Sequence, residues 1–247
     1  MSRTPPAAPP SAPEAAQPAL SHGSRHAAPA HGTTGDLFGV FEPARITPLG
    51  PGAVLLGARA LEAALGLLGG LRSVHEAAPF RRMSVPGGHT MSVAMTSCGP
   101  AGWITDRHGY RYSTTDPDSG RPWPPLPEPF RDLAQAAAAE AGFPGFQPDT
   151  CLINRYEPGA RMALHQDRDE RDQGAPIVSV SLGLAATFLW GGLARAEPAR
   201  RLPLHHGDVV VWGGPSRLCF HGIAPLREGK HPLTGRCRYN LTFRQAL

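Results

Sequence analysis

The stretch IVSVSLGLAATFLWGG (177–192) holds two runs of β-branched and aromatic residues with only two residues between them. Runs of this kind, bounded by glycine, are typical of β-strands. Three more such runs are CLINRY (151–156), DVVVWGG (208–214) and CRYNLTFR (237–244). Because no long helix pattern separates them, the sequence predicts an antiparallel sandwich or jelly roll, a mainly β fold with flanking helices.

Two helices are predicted before these strands. One apolar helix is expected over about 58–68, ended by Gly69-Gly70, and a second over about 128–141, with prolines at its start. Residues 1–36 are mostly Pro, Ala, Ser, Gly and His, which is too few apolar side chains for a core. They are predicted to be a disordered extension that precedes a single domain over 37–247.

Composition excludes several classes of protein. The 247 residues include 29 Gly and 28 Pro without a three-residue period, which excludes collagen-like and coiled-coil chains. No apolar run approaches the ~20 residues of a membrane span. The four scattered cysteines favour a reducing, cytoplasmic compartment. The net charge of +4 rests on arginine, which suits a nucleic-acid partner, although a GC-rich genome gives the same bias.

The segment LHQD (164–167) carries the first chemical signal. On a strand, or at its end, His165 and Asp167 point to the same side and can bind one metal ion. His221, which follows DVVVWGG, is the best candidate for a third ligand. Two histidines and one carboxylate form the facial triad of non-haem Fe(II) oxygenases. Because such pairs also arise by chance, this motif alone leaves the metal site open.

The last strand, RYNLTFR (238–244), alternates polar and apolar residues. Its polar face can bind a dicarboxylate, one guanidinium for each carboxylate, although an ordinary amphipathic strand has the same pattern. CLINRY offers a similar polar pair just upstream of LHQD. A metal triad beside a dicarboxylate clamp indicates a 2-oxoglutarate-dependent oxygenase. The residues of the two polar faces are Arg238, Asn240, Thr242 and Arg244, with Asn154 and Tyr156.

Several long blocks resemble the AlkB family of bacterial alkylated-DNA repair dioxygenases. They are NRYEPGARMALHQDRDE (154–170), PIVSVSLGL (176–184), HGDVVVWGGPSRL (206–218), FHGIAPL (220–226), HPLTG (231–235) and RYNLTFRQA (238–246). The resemblance runs from about Asp36 to the C-terminus. It implies a double-stranded β-helix (jelly-roll) core over about 128–247 and an N-terminal nucleotide-recognition lid over about 83–127. Arg168 stands where the family usually has lysine, which puts one backbone contact in doubt.

The resemblance also implies three groups of site residues. The iron ligands would be His165, Asp167 and His221, and 2-oxoglutarate would bind to Asn154, Tyr156, Arg238, Asn240 and Arg244. In the lid segment MTSCGPAGWITDRHGYRYS (95–113), Trp103 would stack on the damaged base opposite His165. The other substrate contacts implied are Tyr110, Tyr112, Asp169 and Arg195, with Asp169 at the exocyclic nitrogen of the base.

The implied activity is oxidative demethylation of N1-methyladenine and N3-methylcytosine, with Fe(II) as cofactor and 2-oxoglutarate and O2 as cosubstrates. The methyl group is hydroxylated and lost as formaldehyde, and succinate and CO2 are the other products. The expected partner is alkylated DNA, single-stranded or with a flipped base, and the enzyme is expected to be a monomer without membrane association. Three alternatives stay open: an RNA or tRNA demethylase, a binding module without turnover, and a zinc hydrolase.

Overall fold

The computed structural model describes residues 45–247, so the extension predicted at 1–36 lies outside the described residues. The helices are α1 (Ala64–Ala77) and α2 (Glu128–Glu140). The strands are β1 (Ile46–Gly50), β2 (Ala53–Leu56), β3 (Ala94–Cys98), β4 (Gly102–Asp106), β5 (Gly109–Ser113), β6 (Thr150–Tyr156), β7 (Met162–His165), β8 (Ile177–Gly183), β9 (Ala186–Trp190), β10 (Arg200–Leu204), β11 (Val209–Trp212), β12 (His221–Ile223) and β13 (Arg238–Arg244). Within this range no helix combines the length and apolar character needed to cross a membrane.

Seven antiparallel strands form the large sheet, in the order β1-β2-β11-β8-β13-β6-β3. Strand β13 lies between β8 and β6, and its residues Arg238 and Asn240 are directly opposite Tyr156 and Asn154 of β6. This central position pairs both edges of β13, and nearly all its side chains are buried. The alternation seen in RYNLTFR separates an apolar face from a polar face, and the polar side chains are buried as well.

The small sheet has four antiparallel strands in the order β10-β9-β12-β7. Its residues Phe188, Trp190 and Ile223 share one apolar cluster with Leu152 and Trp212 of the large sheet. The two sheets therefore lie face to face, with their apolar side chains between them. This is the arrangement expected of the predicted jelly roll.

The two helices cover the opposite face of the large sheet. Leu67 and Val74 of α1 and Phe130 of α2 pack with Leu241 and Phe243 of β13. The rings of Phe130 and Phe243 meet edge to face, with centroids 5.8 Å apart. Since the apolar side chains of β13 point to the helices, its polar side chains point into the space between the sheets.

The predicted limits of α1 are wrong, whereas α2 and the five predicted strands are confirmed to within two residues at each end. The helix does not begin at residue 58, since Ala58 has a φ of 59°, and it continues through Gly69-Gly70. Glycine inside a helix costs about 1 kcal/mol relative to alanine, but the packing of α1 against α2 outweighs this cost. A Cβ at Gly70 would lie 2.9 Å from Cε1 of Phe130, so glycine permits this approach of α2.

The segment assigned to the lid contributes to two different parts of the structure. Strand β3 pairs with β6 at the edge of the large sheet, whereas β4 and β5 form a separate two-stranded hairpin. Strands β1 and β2 also join the large sheet, so this sheet extends beyond the segment 128–247 that the resemblance implied for the core. The sequence predicts no strand before residue 150, so β1 to β5 are additional to the predicted strands.

Candidate active site

His165, Asp167 and His221 converge where the small sheet ends. Strands β7 and β12 are neighbours, with His165 directly opposite His221, and Asp167 follows β7 by two residues. The Asp167 carboxylate lies 3.6 Å from Nε2 of His165 and 3.8 Å from Nε2 of His221. One ligand atom from each residue lies within 4.8 Å of the other two, so the three can bind one metal ion.

Backbone carbonyl groups orient both imidazoles. Nδ1 of His165 lies 2.9 Å from the Ala163 oxygen, and Nδ1 of His221 lies 3.0 Å from the Cys219 oxygen. When each Nδ1–H donates to its carbonyl, the lone pair on each Nε2 is free for a metal. Two imidazole nitrogens and one carboxylate oxygen that leave coordination positions open fit Fe(II).

The surrounding charges favour the protonation states that a metal needs. Burial alone would raise the pKa of Asp167, but Arg244 and the two histidines hold that pKa well below its usual range. Burial and the neighbouring His165 lower the pKa of His221 to about 4. At neutral pH the carboxylate is therefore ionised and the His221 imidazole is neutral.

The polar face of β13 lines a cavity of about 1070 Å³ that also contains the triad. The register of β13 against β6 explains the grouping, because it places Arg238 beside Tyr156 and Asn240 beside Asn154. Nδ2 of Asn154 donates to Oδ1 of Asn240 at 3.2 Å. All five residues that were predicted to bind 2-oxoglutarate line this cavity: Asn154, Tyr156, Arg238, Asn240 and Arg244.

Arg238 offers buried donors to an anion. Its side chain is 1% exposed, and Nη2 donates to Oγ of Ser181 at 2.9 Å. Its Nε and Nη1 have no hydrogen-bond partner among the described residues. The guanidinium lies 5.1 Å from the centroid of the Tyr156 ring, and burial raises the pKa of Tyr156 to about 12. The protonated phenol and the two unpartnered nitrogens of the guanidinium suit a carboxylate ligand.

Arg244 is held differently from Arg238. Its Nη2 lies 2.7 Å from Oδ2 of Asp167, and its Nε lies 3.2 Å from Oε1 of Glu170. Burial would lower the pKa of Arg244, but these carboxylates raise it above its ordinary value. Only Nη1 has no partner within residues 45–247. The two arginines of the predicted clamp are therefore unequal, and Arg238 is the one open to a distal carboxylate.

The hairpin of β4 and β5 supplies aromatic side chains to the rim of the same cavity. Nε1 of Trp103 donates to Oδ2 of Asp169 at 2.8 Å, and the Trp103 ring stacks on Tyr110 with centroids 5.7 Å apart. Arg195 donates to the Leu164 oxygen at 2.8 Å. Four of the five predicted substrate contacts therefore line the cavity: Trp103, Tyr110, Asp169 and Arg195.

Tyr112, the fifth predicted contact, is not among the residues that line the cavity. Its hydroxyl donates to Oε1 of Glu170 at 2.6 Å, and burial raises its pKa above the usual range. The side chain thus joins the hairpin to the buried ion pairs behind the metal site.

Sequence reasoning missed four residues that support this site. Ser179 and Ser181 of β8 accept hydrogen bonds from Asn240 and Arg238 of β13, and their alternation in IVSVSLG was a readable signal. Glu170 and Arg217 form a buried ion pair at 2.9 Å. No local pattern marks that pair, because its partners are far apart in the chain and meet only in the folded structure.

Comparisons with known proteins agree with this geometry. The 2OG-Fe(II) oxygenase superfamily matches residues 61–244. Alpha-ketoglutarate-dependent dioxygenase AlkB of Escherichia coli (strain K12) is 60% identical over 211 residues, which cover 85% of this chain and 97% of that protein. The chain belongs to the AlkB family of 2OG-Fe(II) oxygenases.

Other AlkB-family members match as well. The AlkB dioxygenase of Salmonella typhimurium is 59% identical over 199 residues, covering 81% of this chain and 92% of that protein. Mouse nucleic acid dioxygenase ALKBH1 is 35% identical over 135 residues, covering 55% of this chain and 34% of that protein. The solved structure of OsALKBH1 matches with a TM-score of 0.72 and 30% identity, and the match covers 81% of this chain and 100% of that chain.

Membership of the AlkB family settles the class of chemistry. The family uses Fe(II), 2-oxoglutarate and O2, and the chain carries a His-Asp-His triad that can bind one metal ion. The predicted jelly-roll dioxygenase is therefore confirmed. The binding module and the zinc hydrolase no longer compete with it.

Proposed function

We propose that this AlkB-family enzyme removes methyl groups from N1-methyladenine and N3-methylcytosine in alkylated DNA, which reverses the damage directly. One observation carries the proposal: a single cavity joins the triad to the aromatic pair Trp103–Tyr110. Both lesions are cationic, so an indole face and the Asp169 carboxylate attract them. A methylated Watson–Crick edge also pairs badly, which lowers the cost of extruding the base.

In this proposal His165, Asp167 and His221 hold Fe(II), and Arg238 binds the distal carboxylate of 2-oxoglutarate beside Tyr156. Asn154, Asn240 and Arg244 complete that pocket. Bound iron supplies an oxidation in which one oxygen atom of O2 enters a methyl C–H bond and the other enters succinate, as CO2 leaves. The N–CH2OH group then loses formaldehyde, and the base recovers its unmethylated ring nitrogen.

The residues at the rim hold the damaged base rather than react with it. Trp103 is fixed on its edge by Asp169 and on its face by Tyr110, so its ring is ordered before a base arrives. We propose that the segment 83–127 acts as the nucleotide-recognition lid, with Tyr112 anchoring it at Glu170. Arg195 and Arg168 then lie near the substrate as cationic groups, and phosphate oxygens are their natural partners.

Mass spectrometry tests the function. A short single-stranded DNA with one N1-methyladenine is incubated with the protein, Fe(II), 2-oxoglutarate and air. We expect the loss of one CH2 unit, dependent on both iron and 2-oxoglutarate and absent in His221→Ala. Matched RNA and an N6-methyladenine DNA run in parallel. If only one of these two parallel substrates lost its methyl group, that nucleic acid would replace N1-methyladenine DNA as the proposed substrate. Demethylation by His221→Ala would show that the triad is not the metal site.

We further propose that the enzyme acts as a cytoplasmic monomer. The triad, the arginine pair and the aromatic rim all come from one chain, so the site needs no residue from a second copy. All four cysteines are free, and Cys98, Cys151 and Cys219 are buried, which fits a reducing compartment. Light scattering during size-exclusion chromatography measures the mass of the protein in solution. A dimer at low micromolar concentration would contradict the proposed monomeric state.

A further inference from the structure

We propose that Arg217 is a positioning residue of the metal centre, which fixes the separation of Asp167 from His221. This inference rests on the proposed assignment of His165, Asp167 and His221 as the metal ligands. Arg217 is not a ligand and does not line the cavity. It acts through the segments that carry two of the ligands.

The first observation is where the Arg217 side chain donates its hydrogen bonds. Nη1 donates to the backbone oxygen of Asp167 at 2.6 Å, and Nε donates to the Ala175 oxygen at 3.0 Å. Nη2 donates to Oε2 of Glu170 at 2.9 Å. All three acceptors lie in the segment 167–175, which begins with a metal ligand. With 3% exposure, Arg217 makes these bonds away from water.

The second observation is where Arg217 stands in the chain. It lies four residues before His221, on the turn that leads from β11 into β12. One rigid guanidinium therefore ties the segment after Asp167 to the segment before His221. Nε2 of Gln166 donates to the Leu218 oxygen at 2.6 Å and makes a second tie between the same segments. The two hydrogen bonds join Gln166 and Asp167 of one segment to Leu218 and Arg217 of the other. Together they fix both the distance and the rotation of Asp167 relative to His221.

The third observation concerns charge. Glu170 is 6% exposed and contacts Arg244 through Oε1 and Arg217 through Oε2. If Arg217 were lost, Glu170 would compete with Asp167 for Arg244, the only other cation in contact with it among the described residues. Arg244 would move toward Glu170 and away from Asp167. The geometry of the ligand carboxylate therefore depends on Arg217 through two routes.

Cobalt binding to metal-free protein, without 2-oxoglutarate or DNA, measures the effect apart from turnover. Groups that orient metal ligands typically change metal affinity 10- to 100-fold. We expect Arg217→Met to raise the Kd for Co(II) within that range, at about 10-fold or more, and to alter the visible absorption bands of bound Co(II). Lysine can replace only some of the hydrogen bonds of the guanidinium, so the Kd of Arg217→Lys for Co(II) should lie between those of the wild type and Arg217→Met.

Arg81→Met is the matched control. Arg81 forms an ion pair with Asp116, which is 2% exposed, and neither residue lines the cavity. This variant should lower the melting temperature and leave the Kd and absorption bands of Co(II) unchanged. A purely structural role for Arg217 would give the same result in Arg217→Met, and that outcome overturns the proposal.

Two further variants separate the possible failures. If Arg217→Met does not fold, Arg217→Lys decides: weaker Co(II) binding supports the proposal, and wild-type binding refutes it. His221→Ala tests the underlying assignment, since it should lose Co(II) binding at the same site. Wild-type affinity in His221→Ala means that the triad is wrong, whereas wild-type affinity only in the Arg217 variants means that the positioning role is wrong.

Discussion

Arg244 and Asp167 form a buried ion pair, with Nη2 of the arginine 2.7 Å from Oδ2 of the carboxylate. The neighbouring Glu170 pairs with Arg217 in the same way. Two arginines thus balance two carboxylates beside the metal site. Arg238 is left as a fully buried cation without a carboxylate partner within residues 45–247. A buried charge is costly unless it is paired, so the fold itself prepares this position for an anion.

Arg238→Met should therefore weaken 2-oxoglutarate binding more than any change at a rim residue. Hydrogen bonds to charged groups contribute about 1.5–3 kcal/mol each, so we expect Kd to rise at least about 10-fold. Calorimetry of 2-oxoglutarate binding to the Mn(II)-loaded protein measures this. Ser181→Ala is the matched control, because it removes the bond from Arg238 Nη2 and keeps the charge. An unchanged Kd in Arg238→Met would mean that another group binds the distal carboxylate.

Trp103→Ala should impair substrate handling and spare the cofactors. Stacking of a base on an aromatic ring is worth about 1–3 kcal/mol, so KM for methylated DNA should rise by about 5-fold or more. Trp103→Phe keeps an aromatic face and loses the hydrogen bond to Asp169, so its KM for methylated DNA should lie between those of the wild type and Trp103→Ala. The affinities for Co(II) and 2-oxoglutarate should match those of the wild type. If Co(II) affinity falls as well, Trp103 supports the fold rather than the base.

Strand β13 shows which parts of the site can be predicted from sequence. Its alternation has a period of two, and its two faces differ in chemistry, so the polar set could be read without knowing its neighbours. His165 and Asp167 were predictable for the same reason, since they lie two positions apart in the chain. His221 needed more, because its place opposite His165 depends on the pairing of β12 with β7.

Glu170 and Arg217 show where prediction from one sequence ends. Their ion pair joins residues 47 positions apart, and nothing in the residues around either one marks it as buried. The same limit explains the error in α1. A glycine pair ends a helix when only local propensity acts, whereas contact with α2 stabilises the helix through Gly69 and Gly70.

The two glycines of α1 offer a direct test of that explanation. A Cβ at Gly69 would meet nothing within 4 Å, whereas one at Gly70 would meet Phe130 at 2.9 Å and Pro127 at 3.2 Å. Gly69→Ala should raise the free energy of unfolding by about 0.5–1 kcal/mol, since alanine favours the helix. Gly70→Ala has the same propensity gain but should destabilise the protein, because α1 and α2 must separate. Urea unfolding compares them, and equal stabilisation by both would refute the packing argument.

Gly222→Ala should disturb the metal site from within the small sheet. A Cβ at this position would lie 2.6 Å from the Met162 oxygen and 3.1 Å from the carbonyl carbon of Ala163, both backbone atoms of β7. Relief of the clash must move β12 away from β7, and those strands carry His221 and His165 opposite each other. We expect a loss of about 1–3 kcal/mol in the free energy of unfolding together with weaker Co(II) binding.

Gly69→Ala, whose added methyl group meets no neighbour, is the control for Gly222→Ala. Each variant adds one methyl group to a glycine, so any difference in Co(II) affinity reports on the separation of the two strands. A Gly222→Ala protein that is destabilised yet binds Co(II) like the wild type would show that the spacing of β7 and β12 does not control the ligands. In that case the positions of His165 and His221 would depend on the hydrogen bonds from their Nδ1 atoms to the Ala163 and Cys219 oxygens.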